Sequence, residues 1–209
     1  AAGHADRLPL KLVHEPRKGL SWGRNAGLAA ARGDFLLFTD DDVRVCPAWL
    51  DVYERARRGL GAGWFYGGPV ESEFEDPAID PLVLEFAPVS VRGMDYGCAA
   101  RPLAASEWFV SANWGCDAAR LREAGGFDVR LGIGATASGP QVGEETDLMR
   151  RLEAAGMKGY YLPEARLHHF VPAAKATRRH VGSRLTESTF FQAVRAGAEP
   201  IRGRRLFGV

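Results

Sequence analysis

The chain has 209 residues, 46% of them hydrophobic and 25% charged, with 27 basic and 26 acidic side chains giving a formal charge of +1. That is enough apolar material for one full-sized core, which excludes a largely disordered chain, and the near balance of charge leaves no global field arguing for nucleic acid. Cys46, Cys98 and Cys116 lie far apart and are odd in number, so neither a zinc knuckle nor a disulfide framework is expected, and a reducing cytoplasmic setting is the reading.

No run of 18 apolar residues occurs, so no membrane span is expected. The opening "AAGHADRLPL" has no apolar signal stretch and no initiator methionine, which reads as a processed form or a fragment. "KLVHEP" (11–16) reads as a short strand stopped by Pro16, and a helix then runs from Ser21, an N-cap residue type, to Gly33, a helix C′ residue type. "FLLF" (35–38) is too short for a helix and reads as a buried strand of a parallel sheet. Asp40, Asp41 and Asp42 follow it without a turn. Pro47 then opens a helix whose Trp49, Leu50, Tyr53 and Ala56 recur at helical spacing up to Gly59, and "GWFYGGPV" reads as the next strand and turn.

Residues 70–106 show no sustained period and read as a long irregular excursion over the site. "WFVSANWG" returns as a strand, followed by a helix from Asp117 closed by Gly125 and Gly126. "GEETDLMRRLEAAG" is a helix with Leu148, Leu152 and Ala155 inward and Gly156 as its stop. "KGYYLP" and "ARLHHF" complete the strands. The alternation implies one α/β domain over 1–175, with helices on both faces of the sheet and ligands beyond the carboxyl ends of its strands. Residues 176–209 form a basic tail with a helix near Leu185–Ala196; eight Lys or Arg lie between Lys175 and Arg205. Such a tail suits peripheral contact with an anionic membrane face as well as it suits a solvated helix packed on the domain.

Four groups carry candidate chemistry. Three adjacent carboxylates repel one another, so Asp40, Asp41 and Asp42 at the end of a buried strand need a counter-charge, and Asp40 and Asp42, projecting to one side of an extended chain, suit a hard divalent cation. A solvated loop capping the next helix is the plain alternative. Glu144, Glu145 and Asp147 open a helix, where acids favour the dipole in any protein; a carboxylate among other anions also gains the proton affinity of a general base. Adjacent His168 and His169 on a strand point to opposite faces, one of them inward. In "SANWG", Trp114 reads with Trp108 and Phe109 as core in preference to a sugar platform.

"GLSWGRNAGLAAARGDFLLFTDDDV" resembles the segment of family 2 glycosyltransferases in which an Arg-Asn helix leads through Arg-Gly-Asp into a hydrophobic strand and the D-x-D motif. "SANWGCDAARLREAGGFD" resembles that family's G-A-N loop and Gly-Gly-Phe-Asp ending. "GEETDLMRRLEAAG" is similar to its Glu-Asp-x-Asp-Leu helix, and "YYLPEARLHHF" to its Pro-Glu-Ala strand with a histidine. The likeness covers about residues 11–172, with the four motifs in order.

The resemblance implies a GT-A fold, nucleotide-diphospho-sugar transferase and Rossmann-like, and inverting transfer of a sugar from a UDP-, GDP- or dTDP-sugar to a glycan or lipid-linked hydroxyl with Mn2+ or Mg2+. It implies that Asp42 and His169 bind the metal. Asp40, with Asp41 beside it, would face the ribose or donor sugar, Arg24 and Asn25 would shape the nucleotide side, and Ala112 and Asn113 would lie under the donor sugar. Glu145 would be the base, with Glu144 and Asp147 as alternates. Position 145 departs from the family's commoner aspartate, Ser111 replaces a glycine, and His168 stands where an aromatic or apolar residue is usual. The family's first strands and its Asp-x-Ser-x-Asp segment do not precede "KLVHEP", which implies an exposed sheet edge, or strands supplied by another chain. Competing expectations are a non-catalytic binding or scaffolding module that keeps the fold, and a nucleotidyltransferase, against which the Gly-Gly-Phe-Asp and Glu-Glu-x-Asp-Leu segments count.

Overall fold

The computed structural model describes residues 9–135 and 142–195. Helix α1 spans Leu20–Ala30, and strands β1 (Phe35–Phe38) and β2 (Val43–Val45) flank the aspartates. Helix α2 is Trp49–Leu60, β3 Trp64–Gly67 and β4 Val70–Phe74. Two short helices, α3 (Pro81–Phe86) and α4 (Val89–Arg92), precede β5 (Arg101–Pro102). Then come β6 (Trp114–Asp117), α5 (Ala118–Glu123), α6 (Glu144–Ala154), β7 (Lys158–Tyr161), β8 (Leu167–Val171), a 3-10 turn (Ala173–Lys175) and α7 (Arg178–Arg195).

The strands form two sheets. One runs in the order β1-β6-β3-β7-β5, the other β2-β8-β4. The chain changes sheet five times; the two shortest crossings lie between β1 and β2 at the aspartates and between β3 and β4 at Gly68-Pro69. Alternation along β1 divides the first sheet's faces: Leu36 and Phe38 join Trp114, Phe127, Leu148 and Leu152 on one side, Phe35 and Leu37 join Trp49, Tyr53 and Tyr66 on the other. Helices therefore cover both faces, as the α/β reading requires.

Several local expectations are corrected. Residues 11–16 form no strand: among the described residues no neighbouring strand pairs with them, and Leu12 is 94% exposed. Helix α1 is capped by Gly19 at φ +125°, while Ser21 lies inside it, fully buried, its Oγ donating to the Leu131 carbonyl. It ends at Ala30, short of Gly33. Strand β1 is half-buried and runs antiparallel to β6; the parallel pairs are β3 with β7 and β4 with β8. The excursion over 70–106 holds two strands and two short helices, its first strand lying beside β8. "WFVSANWG" is a turn up to Asn113, with the strand starting at Trp114.

Helix α7 begins earlier than expected and packs Val181 against Val83, Ala87, Val91 and Val171, so its first turns belong to an apolar cluster of the fold. Residues 196–209, the end of the basic tail, lie outside the described residues. Among the described residues no helix is long and apolar enough to cross a membrane.

The β3–β4 crossing is tight. A Cβ on Gly67 would run into the Phe109 ring, and one on Gly68 into the Ala165 carbonyl. The second obstacle is backbone and cannot rotate away. Gly68→Ala is expected to destabilise the fold by about 1–3 kcal/mol, read as a lower urea midpoint at unchanged slope.

Candidate functional site

The aspartates occupy the passage from the first sheet to the second, and strand pairing decides what they face. Val43 pairs with His169, and the Phe170 N–H donates to the Asp42 carbonyl at 2.9 Å. This register brings His169 Nε2 to 3.4 Å from Asp42 Oδ2, and Lys175 Nζ reaches the same oxygen at 3.7 Å. The other oxygen, Asp42 Oδ1, is buried without a hydrogen-bond partner. His169 is buried, while His168 faces the opposite side of the sheet toward Glu71. Asp41 is exposed.

Arg24 joins this turn to α6. Its Nη1 donates to Glu144 Oε1 at 2.8 Å, and its Nη2 stands 3.6 Å from Asp40 Oδ1, buried and without a hydrogen bond of its own. Both Arg24 and Glu144 are almost wholly enclosed. Arg24 lies on an inner face of α1, its guanidinium carbon 5.4 Å from the centre of the Phe127 ring. Burial raises the Asp40 carboxyl above its usual range, Arg24 opposes that, and the Asp42 charge adds to it.

Glu145 follows Glu144 at the start of α6. Its carboxyl is enclosed by protein although part of the residue reaches solvent. Burial foremost, then the neighbouring Glu144 charge, push its pKa up to about 8. Asp147, an alternate for the base, is instead held by Arg151 at 2.8 Å, and Arg151 also donates to the carbonyls of Ala124 and Gly126. That places Asp147 in a clasp between α6 and the Gly-Gly turn.

Two residues expected beside the sugar or nucleotide have their side-chain amides engaged within the protein. Asn113 is wholly buried: its Oδ1 accepts from Trp49 Nε1 (2.8 Å) and the Tyr53 hydroxyl (2.9 Å), and its Nδ2 donates to the carbonyls of Pro69 (2.9 Å) and Ala165 (2.7 Å). Every position of the amide is filled by protein, leaving none for a sugar. Ala112 is buried beside it. Asn25 is likewise closed on Phe127, accepting from its N–H and donating to its carbonyl, both at 2.8 Å. These residues build the wall, while Arg24, Asp40, Asp42, Glu144, Glu145 and His169 converge within it. Lys175 is the member that sequence reasoning missed; its only signal was a cation six residues beyond His169.

The sequence profile of a family described as Glycosyl transferase family 2 matches residues 2–67. A succinoglycan biosynthesis protein, ExoM, of Rhizobium meliloti is 30% identical over 168 residues, 79% of this chain and 49% of that protein. The pre-mycofactocin glycosyltransferase of Mycobacterium tuberculosis is 30% identical over 169 residues, 77% of this chain and 32% of that one. The likeness to glycosyl transferase family 2 rests on residues 2–67 and on these relatives. The chain spans about half and about a third of the length of these relatives. In fold, the chain is similar to GalNAc-T7, solved with UDP, GalNAc and Mn2+, with a TM-score of 0.51 at 14% identity over 88% of this chain and 38% of that one. The architecture is that of GT-A glycosyltransferases.

Two outcomes are expected. Asn113→Ala strands four buried partners and should cost about 3 kcal/mol or more in a urea titration. For Glu145, a folded pKa of about 8 against an ordinary 4.5 means that the native state holds a proton the unfolded chain has released. Its contribution to stability is therefore full below 4.5 and is lost as pH rises to about 8. Glu145→Gln should flatten that decline in melting temperature.

Proposed function

We propose that this site transfers a glycosyl group from a nucleoside-diphosphate sugar to an acceptor hydroxyl by a single displacement, with inversion at the anomeric carbon. The observation that carries the reading is the bridge formed by Arg24, which ties the carboxylates opening α6 to the aspartate turn. A base and a leaving-group site then share one pocket wall, as an in-line displacement needs.

A divalent cation, Mn2+ or Mg2+, fits the residues on hand. Asp42 Oδ1 is buried without a partner beside His169, and the described residues hold no group of three His, Cys, Asp or Glu side chains able to cage a metal. Two protein ligands completed by phosphate oxygens and water are the habit of Mg2+ in nucleotide sites. Bound by Asp42 and His169, the cation would neutralise charge on the departing diphosphate. Arg24, with Nη2 lacking a hydrogen bond, supplies a fixed positive charge on the same side.

Glu145 is the base in this reading. It takes the proton of the acceptor hydroxyl as the oxygen attacks the anomeric carbon; the bond from that carbon to the diphosphate breaks, and its electron pair leaves with the nucleoside diphosphate. A pKa of about 8 gives the carboxylate the proton affinity the step needs, and Glu144 keeps it raised. Asp40 faces the ribose or donor sugar. The donor is a UDP-, GDP- or dTDP-sugar, in line with the UDP of GalNAc-T7, and the acceptor is a glycan or lipid-linked hydroxyl, in line with the name of ExoM.

The open edge of β1, paired only with β6 among the described residues, favours a second reading in which the chain keeps the fold but turns over donor only when a further segment completes the sheet. Calorimetric titration with UDP, GDP and dTDP, with and without Mn2+, separates the two. Metal-dependent binding of one nucleotide, lost in Asp42→Ala, is expected from the first; no binding of any withdraws activity for this chain taken alone. In an active form, Glu145→Gln should lower donor-dependent release of nucleoside diphosphate by about 10²–10⁴-fold while nucleotide affinity stays within about twofold.

A further inference from the structure

Lys175 closes the 3-10 turn that joins β8, the strand of His169, to α7. Its ammonium lies 3.7 Å from Asp42 Oδ2, the oxygen His169 also approaches, and the side chain is 44% exposed. The turn beneath it is clasped on both sides. The Ala173 N–H donates to Glu75 Oε2 at 2.8 Å, the Glu75 N–H donates to the Val171 carbonyl, and Arg178 pairs with Asp80 at 2.6 Å. The backbone is thus fixed while the long side chain is free to swing, and its present partner is the carboxylate assigned above to the metal.

A divalent cation on Asp42 and an ammonium within 4 Å of the same carboxylate oppose one another, since two like charges sharing one half-buried carboxylate repel. Either the ammonium holds the cation off, or it moves to an anion that arrives with it. A nucleoside diphosphate brings that anion to the metal. We infer that Lys175 is a positioning residue of the donor site, the counter-ion of Asp42 when the site is empty and a contact to the donor's diphosphate when metal and nucleotide enter together. The inference rests on the metal-assisted reading of Asp42. It makes the site selective for the metal–nucleotide pair over the free cation, because the ammonium competes with the cation alone and assists the complex.

The test uses Mn2+ binding, followed by the loss of the free-ion paramagnetic signal, and calorimetry of the nucleoside diphosphate that binds the unaltered chain best, at saturating Mn2+. Two opposite shifts are expected in Lys175→Ala: Mn2+ alone binds at least as tightly as before, while the nucleoside diphosphate binds about tenfold more weakly, the loss of one charge-assisted contact. Lys175→Arg should restore nucleotide affinity to within about threefold. Nucleotide affinity unchanged or improved in Lys175→Ala would overturn the inference, assigning Lys175 to Asp42 alone. If the unaltered chain binds neither Mn2+ nor Mn2+ with nucleotide, the metal-assisted reading fails, and the role of Lys175 fails with it.

Discussion

One buried amide holds the two sheets in position. Asn113 stands at the end of the turn that enters β6, and its four hydrogen bonds reach α2, the β3–β4 crossing and the β7–β8 connection. No other polar side chain of the described core ties so many separate segments. Burying an amide is unfavourable until all its positions are met, so this one fixes its neighbours to a single arrangement. Gly67 and Gly68 are the complement: the backbone at the crossing lies too close to Phe109 and Ala165 for a side chain. Since the aspartates occupy another passage between the sheets, their position follows from how the sheets are tied.

Within that frame the charges balance in a line. Glu145, Glu144, Arg24 and Asp40 follow one another from α6 to the aspartate turn, and Asp42, His169 and Lys175 continue it to the start of α7. The carboxylates outnumber the basic groups along this line, and one guanidinium nitrogen and one carboxylate oxygen in it are buried without hydrogen bonds. Buried orphans of opposite sign are costly to a fold. Their position beside one another's partners is what a ligand carrying both charges, a cation with a phosphate, would satisfy.

The helices that position the site were legible because their signals are local. The period of Leu148 and Leu152, the acids at 144 and 145 and the stop at Gly156 define α6 without reference to the rest of the chain. The direction of β1 was not legible: "FLLF" carries no mark of its partner, which lies in β6 beyond the whole excursion. "KLVHEP" has a strand's pattern, but a strand needs a neighbour, and the described residues offer none. The structural bonds of Asn113 had a local signal in α2, where Trp49 and Tyr53, four apart on one apolar face, both need a buried acceptor. Arg24 and Glu144 were each visible, but their pairing across 120 residues was not.

The pairing of β2 with β8 also explains how a strand with two histidines in tandem presents the right one. A slip of one residue would still set a histidine opposite the aspartate turn, so the ligand chemistry alone discriminates weakly between the two registers. The neighbours discriminate strongly: Leu167 and Val171, fully buried on the face of His169, would turn outward and the half-exposed Phe170 inward. The register beside the aspartates is thus enforced by two aliphatic residues. Drift at Leu167 or Val171 toward polar residues would exchange one histidine for its twin beside Asp42, a change that inspection of the histidines alone would not reveal.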